Sequence, residues 1–544
     1  MIRPLLLCAV ALACSAPAFA RSEDDSTYIR LARAMETFGS VFREINSRYV
    51  DEIDPKELVD VGVGAMLEYL DPYSEYFEDD ETDEVEQITT GSYVGFGITV
   101  GSIDSLLTIT DVRDSGPARA AGIRIGDHLL SIDSTRTDTL RSRELRPYTR
   151  GAAGTSARMR LLREGRSDTL DLVVKRSELE LESVALKDVL AGDIAYINLV
   201  RFSRNTSSEL RTAIADLRSR KQLKGLILDL RDNPGGLLEA AIDVVEFFVP
   251  TGSKIVSTRG RDEESFTEYS SEAEPIEPSL PLVVLINEQS ASASEIVAGA
   301  LQDLDRAVII GSRSFGKGLV QSIIPLSDQA LLKLTTARYY TPSGRCIQRL
   351  SYRSDSTITD TIQYRTSSGR RVSATHGIDP DSTVADSMFS KTVQHLLAGN
   401  LIQRYATRAT ALLKELPAGF SSGRETFEGF VKFVEEQPTQ KRSPLLSEIS
   451  SAIDRATRDR WPASTIAALE AGRKAVEKDL VQNLRREQSQ ILMLIDIEMR
   501  TRFGTVLERD RRLLAVSPAV KAATDILSSS RHRQFLTGEL PANH

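Results

Sequence analysis

One short stretch constrains this chain more than any other. Pro281 to Asn287 is an unbroken apolar run with β-branched residues, which predicts a buried strand. The small-residue segment Ser290-Ala291-Ser292-Ala293-Ser294-Glu295 follows, and Glu295 to Asp303 has the pattern of a helix. A second apolar strand, Arg306 to Ile310, comes next, and then Phe315-Gly316-Lys317-Gly318. Strand, tight turn, helix and strand in this order predict an α/β sheet. A small-residue turn before the helix can hold a hydroxyl in the open, at the positive end of the helix. Ser292-x-x-Glu295 is also a capping box, and such boxes commonly do no more than start a helix. Lys317 lies 25 residues after Ser292, across one helix, one strand and one loop, so both side chains can return to one edge of the sheet.

A serine that attacks a carbonyl needs a base. The chain has 5 histidines (His128, His376, His395, His532 and His544), and none is near Ser292 in sequence. A lysine can take the role where burial strips its proton, because desolvation disfavours the ammonium. Gln321, four residues beyond Lys317, could hydrogen-bond the amine and orient it. A Ser-Lys dyad is chemically possible here, and a hydrolase built on His376 is the alternative.

Ser-Ala-Ser-Ala-Ser-Glu followed by Phe-Gly-Lys-Gly-x-Val-Gln resembles the C-terminal processing peptidases, also called tail-specific proteases. The resemblance implies that Ser292 is the nucleophile, Lys317 the base and Gln321 the residue that orients it. It also implies that Asp229-Leu-Arg-x-Asn233-Pro-Gly235-Gly236 supplies one oxyanion-hole N–H, from Gly235 or Gly236. Ala293, just after the nucleophile, supplies the other. It implies no metal or organic cofactor. It covers roughly residues 40–388.

Residues 1–20 have the pattern of a secretory signal peptide. Arg3 is the charged end, Leu5 to Cys14 the apolar run, and Ala18-Phe19-Ala20 a small-x-small cleavage site. Ala11 to Cys14 fits a lipid-attachment box poorly. Cleavage would remove Cys8 and Cys14 and leave Cys346 alone of the 3 cysteines, so no internal disulfide could form. Export without disulfides is compatible with a bacterial periplasm, free or associated with the envelope. Losing Arg3 takes the net charge from −9 to −10, and nothing in it favours nucleic acid or an acidic membrane. No further apolar run is long enough to suggest a second membrane span.

Residues 21–89 predict a helical entry. Leu31, Met35, Phe38, Phe42, Ile45 and Tyr49 form one apolar seam, which either packs on the protein's own body or joins two copies in a homodimer. Asp54-Pro55 starts a second helix, Asp71-Pro72-Tyr73-Ser74 ends it, and the acidic run Glu78–Glu86 reads as a solvated connection. Residues 90–178 resemble a PDZ domain, with Tyr93-Val94-Gly95-Phe96-Gly97-Ile98 as its carboxylate-binding loop. Ser115-Gly116-Pro117-Ala118, Ala121-Gly122-Ile123 and Gly126-Asp127 match the turn and short helix that follow in such domains. Consecutive loop N–H groups can hold a peptide's terminal carboxylate while the next strand pairs with its backbone. Arg150 is the candidate for an arginine that touches the Lys-Gln pair when peptide docks, and an ordinary surface arginine is the alternative.

Residues 179–388 predict the α/β peptidase body. Its strands are Ile194–Val200, Gly225–Leu230 and Leu331–Tyr340, and a helix spans Ser207–Arg220. Asp229, Asp232 and Asp303 read as cap or turn residues, since no His/Cys spacing suggests a metal site. Residues 389–544 read as an all-α appendage. Phe427, Phe430, Val431 and Val434, then Val476, Leu480 and Leu484, then Ile491 and Ile495, form its core stripes, and Pro438 and Pro462 break its helices. Its role would be to steer substrate, bind an adaptor or hold protomers together.

The whole predicts a multidomain α/β chain: an exported, PDZ-gated serine endopeptidase acting on proteins with free C-termini or unfolded tails. The alternatives are a PDZ scaffold without activity and a latent enzyme assembled by a partner.

Overall fold

The computed structural model describes residues 23–78, 91–103, 106–327, 330–352, 356–357, 362–373, 376–385, 389–417, 419–438 and 443–540. The expected signal peptide and most of the acidic run Glu78–Glu86 lie outside them. No helix among the described residues is long and apolar enough to cross a membrane. The chain divides into two compact units, one ending at Tyr76 and the other beginning at Phe77.

The first unit contains the helices Glu23–Arg48 and Pro55–Glu68. Asp54 caps the second helix by accepting from Lys56 N at 2.9 Å, and Pro55 takes the first helical position, where its missing N–H costs nothing. Past the second helix Asp71 accepts from the Tyr73 and Ser74 N–H groups, both at 2.8 Å, and turns the chain. The seam is largely open: Leu31, Met35 and Tyr49 are 59–61% exposed, Phe42 and Ile45 are half-buried, and no residue of the second helix is buried.

The second unit opens with the PDZ-like module. Ile98–Ile103, Leu106–Val112, Asp127–Ile132, Ser156–Arg163 and Thr169–Lys175 form an antiparallel sheet in that order. Ile98–Ile103 is therefore an edge strand. Ser92–Gly95 pairs separately with Ser177–Glu180. The core holds Phe96, Ile109, Val112, Leu129, Met159 and Leu161.

The body is built on a six-stranded sheet in the order Val184–Leu190, Ile194–Leu199, Gly225–Asp229, Leu282–Ile286, Val308–Gly311 and Ser382–Thr383. The expected strand Leu331–Tyr340 lies, as Ala330–Tyr340, in a second sheet between Leu319–Ser327 and Lys254–Arg259. In the six-stranded sheet the first pair is antiparallel and the rest are parallel. Parallel strands need helical crossovers, so both faces end up covered and the strands read as apolar runs. The strand side chains alternate between two cores. Ala195, Ile197, Leu226, Leu228, Leu282 and Val284 meet helices Thr206–Arg220, Leu238–Glu246 and Ala293–Asp303. Ile194, Tyr196, Ile227, Val283, Leu285 and Ile310 meet Val520, Ala523, Ile526, Leu527 and Phe535. The last two helices of the chain, Pro518–Leu527 and Arg531–Leu536, thus form the second layer of the body.

The C-terminal region is all-α as expected, but it is more than an appendage, because its end completes the body. Its own core holds Phe427, Phe430, Val431, Val434, Leu484, Ile491 and Ile495 of the expected stripes. Val476 and Leu480 are only half-buried and stay outside it, since Leu484 alone of helix Ala463–Arg486 is buried.

Candidate active site

Two turns meet at the C-terminal ends of adjacent parallel strands. Gly225–Asp229 runs into Asp232–Gly236, and Leu282–Ile286 runs into Asn287–Ser292. Asn233 joins them. Its carbonyl accepts from Ala291 N at 3.1 Å and from Ser294 Oγ at 2.9 Å, and its amide donates to Leu199 O at 2.7 Å. Asp232 and Asn287 exchange two further bonds, both 2.9 Å, and Ser290 Oγ donates to Leu230 O at 2.8 Å.

Ser292 stands at the start of helix Ala293–Asp303 with φ +56°, a left-handed conformation that a serine adopts only at a cost of about 1–3 kcal/mol. The neighbouring turn has no room for a side chain. A Cβ on Gly235 would lie 2.7 Å from Ala291 O and 2.9 Å from Ala293 N. The two glycines differ in how their N–H groups are used. Gly235 N donates to Asn233 Oδ1 at 2.9 Å. Gly236 is exposed, and its flanking groups carry the bridge to Phe202: Phe202 N bonds Gly235 O at 3.1 Å and Leu237 N bonds Phe202 O at 2.9 Å.

The expected capping box exists, and Glu295 does more than cap. Its buried carboxylate accepts from Ser292 N at 2.9 Å, Gly316 N at 2.7 Å, Lys317 N at 2.9 Å and Ser314 Oγ at 2.5 Å. One side chain therefore ties the backbone of the serine to the backbone of the lysine. Burial pushes its pKa up to about 7, and the four donors pull against that rise. Tyr339 closes the same ring by donating to Lys317 O at 2.6 Å and Ser292 O at 3.2 Å. Burial and the neighbouring Glu295 hold its phenol well above its ordinary pKa, so it remains a donor.

Lys317 and Ser292 are both half-buried. Gln321 sits on strand Leu319–Ser327, and its amide donates to Thr335 Oγ1 on the facing strand at 3.2 Å. His376 approaches by its backbone: a Cβ on Gly316 would lie 3.2 Å from His376 C. Asp229 accepts from Tyr196 Oη at 2.7 Å and pairs with Arg231, and Asp303 is buried against Arg345 at 2.8 Å. No cluster of three or more His, Cys, Asp or Glu among the described residues could hold a metal.

In the PDZ-like module, Tyr93, Val94 and Gly95 lie in the strand paired with Ser177–Glu180. Phe96 is buried beneath the Arg176 guanidinium, 4.6 Å from its ring centroid, and Gly97 turns the chain at φ +75°. Ile98 begins the edge strand. Arg150 follows the short helix Arg146–Thr149, half-buried, with its N–H on Arg146 O at 3.0 Å.

The Ser-x-x-Glu spacing carries a signal for Glu295 as a cap, but not for its reach to Gly316 and Lys317. Tyr339 has no local signal, because its partners are distant in sequence, and the bonds of Asn233 to Leu199, Ala291 and Ser294 have none for the same reason.

Residues 193–358 match the model of "Peptidase family S41" and residues 94–174 that of "PDZ domain". Residues 392–527 match "Probable PDZ-protease, C-terminal helical domain". A carboxy-terminal-processing protease of Bartonella bacilliformis is 40% identical over 337 residues, which cover 61% of this chain and 76% of that one. The carboxy-terminal processing protease CtpB of Bacillus subtilis is 30% identical over 323 residues, covering 58% and 66%. Among solved structures, the photosystem II D1 C-terminal processing protease is 25% identical, covers 64% of this chain and 92% of that one, and aligns with a TM-score of 0.35.

Proposed function

This chain belongs to peptidase family S41, the carboxy-terminal-processing proteases, and from that premise we propose that it is an exported, PDZ-gated endopeptidase with a Ser292–Lys317 dyad. The observation that carries the reading is the Glu295 carboxylate, which takes an N–H from Ser292 and from Lys317 at 2.9 Å each and so sets the two turns against one another.

In the proposed reaction neutral Lys317 takes the Ser292 hydroxyl proton as Oγ attacks the peptide carbonyl. The oxyanion is held by the N–H groups of Ala293 and Gly236. Gly236 is chosen over Gly235 because the Gly235 N–H is already given to Asn233. Each such donor is typically worth about 3 kcal/mol at the transition state. Lys317 then returns its proton to the leaving amine, which breaks the C–N bond and leaves an acyl ester on Ser292. Water, deprotonated by Lys317, hydrolyses the ester. Gln321 steadies the lysine from the neighbouring strand.

Substrates are proteins with a free C-terminus, held by the loop Tyr93–Ile98 and paired along the edge strand Ile98–Ile103. Arg150 reports peptide docking to the Lys-Gln pair. The reading places the protein in a bacterial periplasm. The largely open seam of the first unit joins two copies, since a first helix with Leu31 and Met35 exposed and a second with no buried residue gain stability by covering that face.

Casein cleavage by the mature chain tests this, beside Ser292→Ala, Lys317→Ala and His376→Ala. Only wild type and the histidine variant should cut. Activity that survives loss of Lys317 and vanishes with His376 would replace the dyad by a Ser-His hydrolase. No cleavage by any of them would leave a scaffold, or an enzyme that waits for a partner.

A further inference from the structure

The PDZ ligand loop and the Asp232–Gly236 turn are linked by a continuous set of bonds through the C-terminal helices. At the PDZ end, both Asp114 carboxylate oxygens accept from Val506 N at 3.0 Å, and one accepts from Leu507 N at 3.5 Å. Asp114 thereby caps helix Val506–Leu514 from 392 residues away, with its charge at the positive helix end. The helix's own Thr505 already caps Glu508 N, at 3.1 Å, so the Asp114 contact is an addition to a finished helix start. Asp114 sits directly behind the ligand loop. Its neighbour Arg113 donates N–H to Gly97 O at 2.9 Å, and a Cβ on Gly97 would lie 3.2 Å from Gly116 Cα.

At the other end, Leu514 is buried and its carbonyl accepts from Ser517 N at 3.1 Å. Ser517 Oγ accepts from the Arg231 guanidinium at 3.1 Å. Arg231 in turn holds Asp229, the last residue of its strand, with bonds of 2.5–3.1 Å. The Asp232–Gly236 turn begins at the next residue. Between the two ends Arg511 pairs with Asp188 at 3.1 Å and keeps the helix on the body.

We propose that helix Val506–Leu514 is a strut that carries the state of the PDZ ligand loop to the Asp232–Gly236 turn, which makes the C-terminal helical domain part of the peptide's control over cleavage. Asp114 and Ser517 are its positioning residues. A carboxylate entering the loop at Phe96-Gly97 acts on Gly97 and Arg113, and so on the Asp114 cap. A helix transmits displacement along its axis because its hydrogen-bonded turns resist compression. Ser517 and Arg231 receive that displacement beside the turn that holds the oxyanion donor. By linkage, a disturbance of the turn also alters peptide affinity. The inference rests on the peptide-binding and peptidase reading above.

The test uses the mature chain with Ser292→Ala and a fluorescein-labelled decapeptide that ends in two alanines and a free carboxylate. The amidated peptide is the control. Anisotropy measures binding, and hydrogen exchange with mass spectrometry follows residues 94–98, 505–517 and 230–237. Peptide should change exchange in all three segments of the parent. With Asp114→Ala, which leaves Val506 N no side-chain acceptor, binding should hold within about three-fold while the response at 230–237 disappears. With Ser517→Ala, the response at 505–517 should remain and that at 230–237 should be lost.

An undiminished response at 230–237 in Asp114→Ala overturns the strut, and so does a silent 505–517 in the parent. A parent that binds no peptide refutes the PDZ reading, and the strut falls with it. A parent that binds while 230–237 stays silent refutes the strut alone. In the chain with Ser292 intact, each variant should lower kcat at least about five-fold with KM nearly unchanged, and the double variant should be no worse than the worse single. Losses that multiply would mean two unrelated structural defects.

Discussion

The two faces of the central sheet are covered by helices of opposite provenance. One face is closed by Thr206–Arg220, Leu238–Glu246 and Ala293–Asp303, each the crossover between neighbouring strands. The other is closed by Pro518–Leu527 and Arg531–Leu536, which return from the far end of the chain. The burial chemistry is the same. Leu210 and Leu217 on the first face are fully buried, and Ile526 on the second is 1% exposed. The second face therefore makes the peptidase body dependent on a segment that carries none of the proposed catalytic residues. Gly225 shows how closely that segment fits, since a Cβ there would meet Leu527 at 3.1 Å.

The sharpest way to break this comparison is to end the chain at Val516. If the far helices are a true layer, the sheet then exposes Ile194, Ile227, Val283, Leu285 and Ile310. An apolar face of that size does not persist in water. The expected outcome is insoluble or protease-sensitive protein, checked by expression and limited proteolysis. A soluble, cooperatively melting truncation would show that the second layer is dispensable.

A smaller change compares the faces directly. Leu210→Ala on the near face and Ile526→Ala on the far face should each cost about 2–5 kcal/mol in denaturant unfolding. Equal costs make the two layers one cooperative unit. A far-face cost below about 1 kcal/mol would make the C-terminal helices a loosely held cover.

The same contrast explains what was legible in the sequence. Strand Leu282–Ile286, its helix and Ser292 follow one another, so period and turn chemistry disclose them together. The stripe Phe427, Phe430, Val431 and Val434 also announced its own core. What covers the second sheet face could not be read. An apolar stripe says that a helix is buried, but it does not say against which surface. Glu295 shows the same limit at the site. Its bond to Ser292 spans three residues and fits a capping box, whereas its bonds to Gly316 and Lys317 depend on how the following strand returns.

Glu295 also separates catalysis from cover. Glu295→Gln keeps the shape, but a carboxamide turns an NH2 either on the Ser314 and Gly316 donors or on the Ser292 and Lys317 donors, where an acceptor is needed. The serine and lysine turns should lose their register. We expect kcat to fall about 30- to 100-fold, roughly 2–3 kcal/mol of barrier, with a melting change smaller than that of Ile526→Ala. Wild-type kcat in Glu295→Gln would remove the carboxylate from the account of the site.

The last and smallest effect is in pH. Burial raises the Glu295 carboxyl from its ordinary range to about 7 in the folded chain. A group with a raised folded pKa favours folding in its protonated form. Its contribution is complete below the unfolded pKa, near 4.5, and is lost as pH rises through about 7. The whole displacement corresponds to roughly 3 kcal/mol, of which about 1.5 kcal/mol falls between pH 5.5 and 7. Catalysis runs the other way, because only the ionised carboxylate offers four acceptor positions to four donors. In a Ser292→Ala background, where autolysis cannot interfere, stability should decline across that window and then level off. Glu295→Gln, with no proton to lose, should flatten the decline, while Ile526→Ala should lower the curve and keep its slope. An unchanged slope in Glu295→Gln would mean that the carboxylate is already ionised at pH 5.5, with its four donors outweighing its burial.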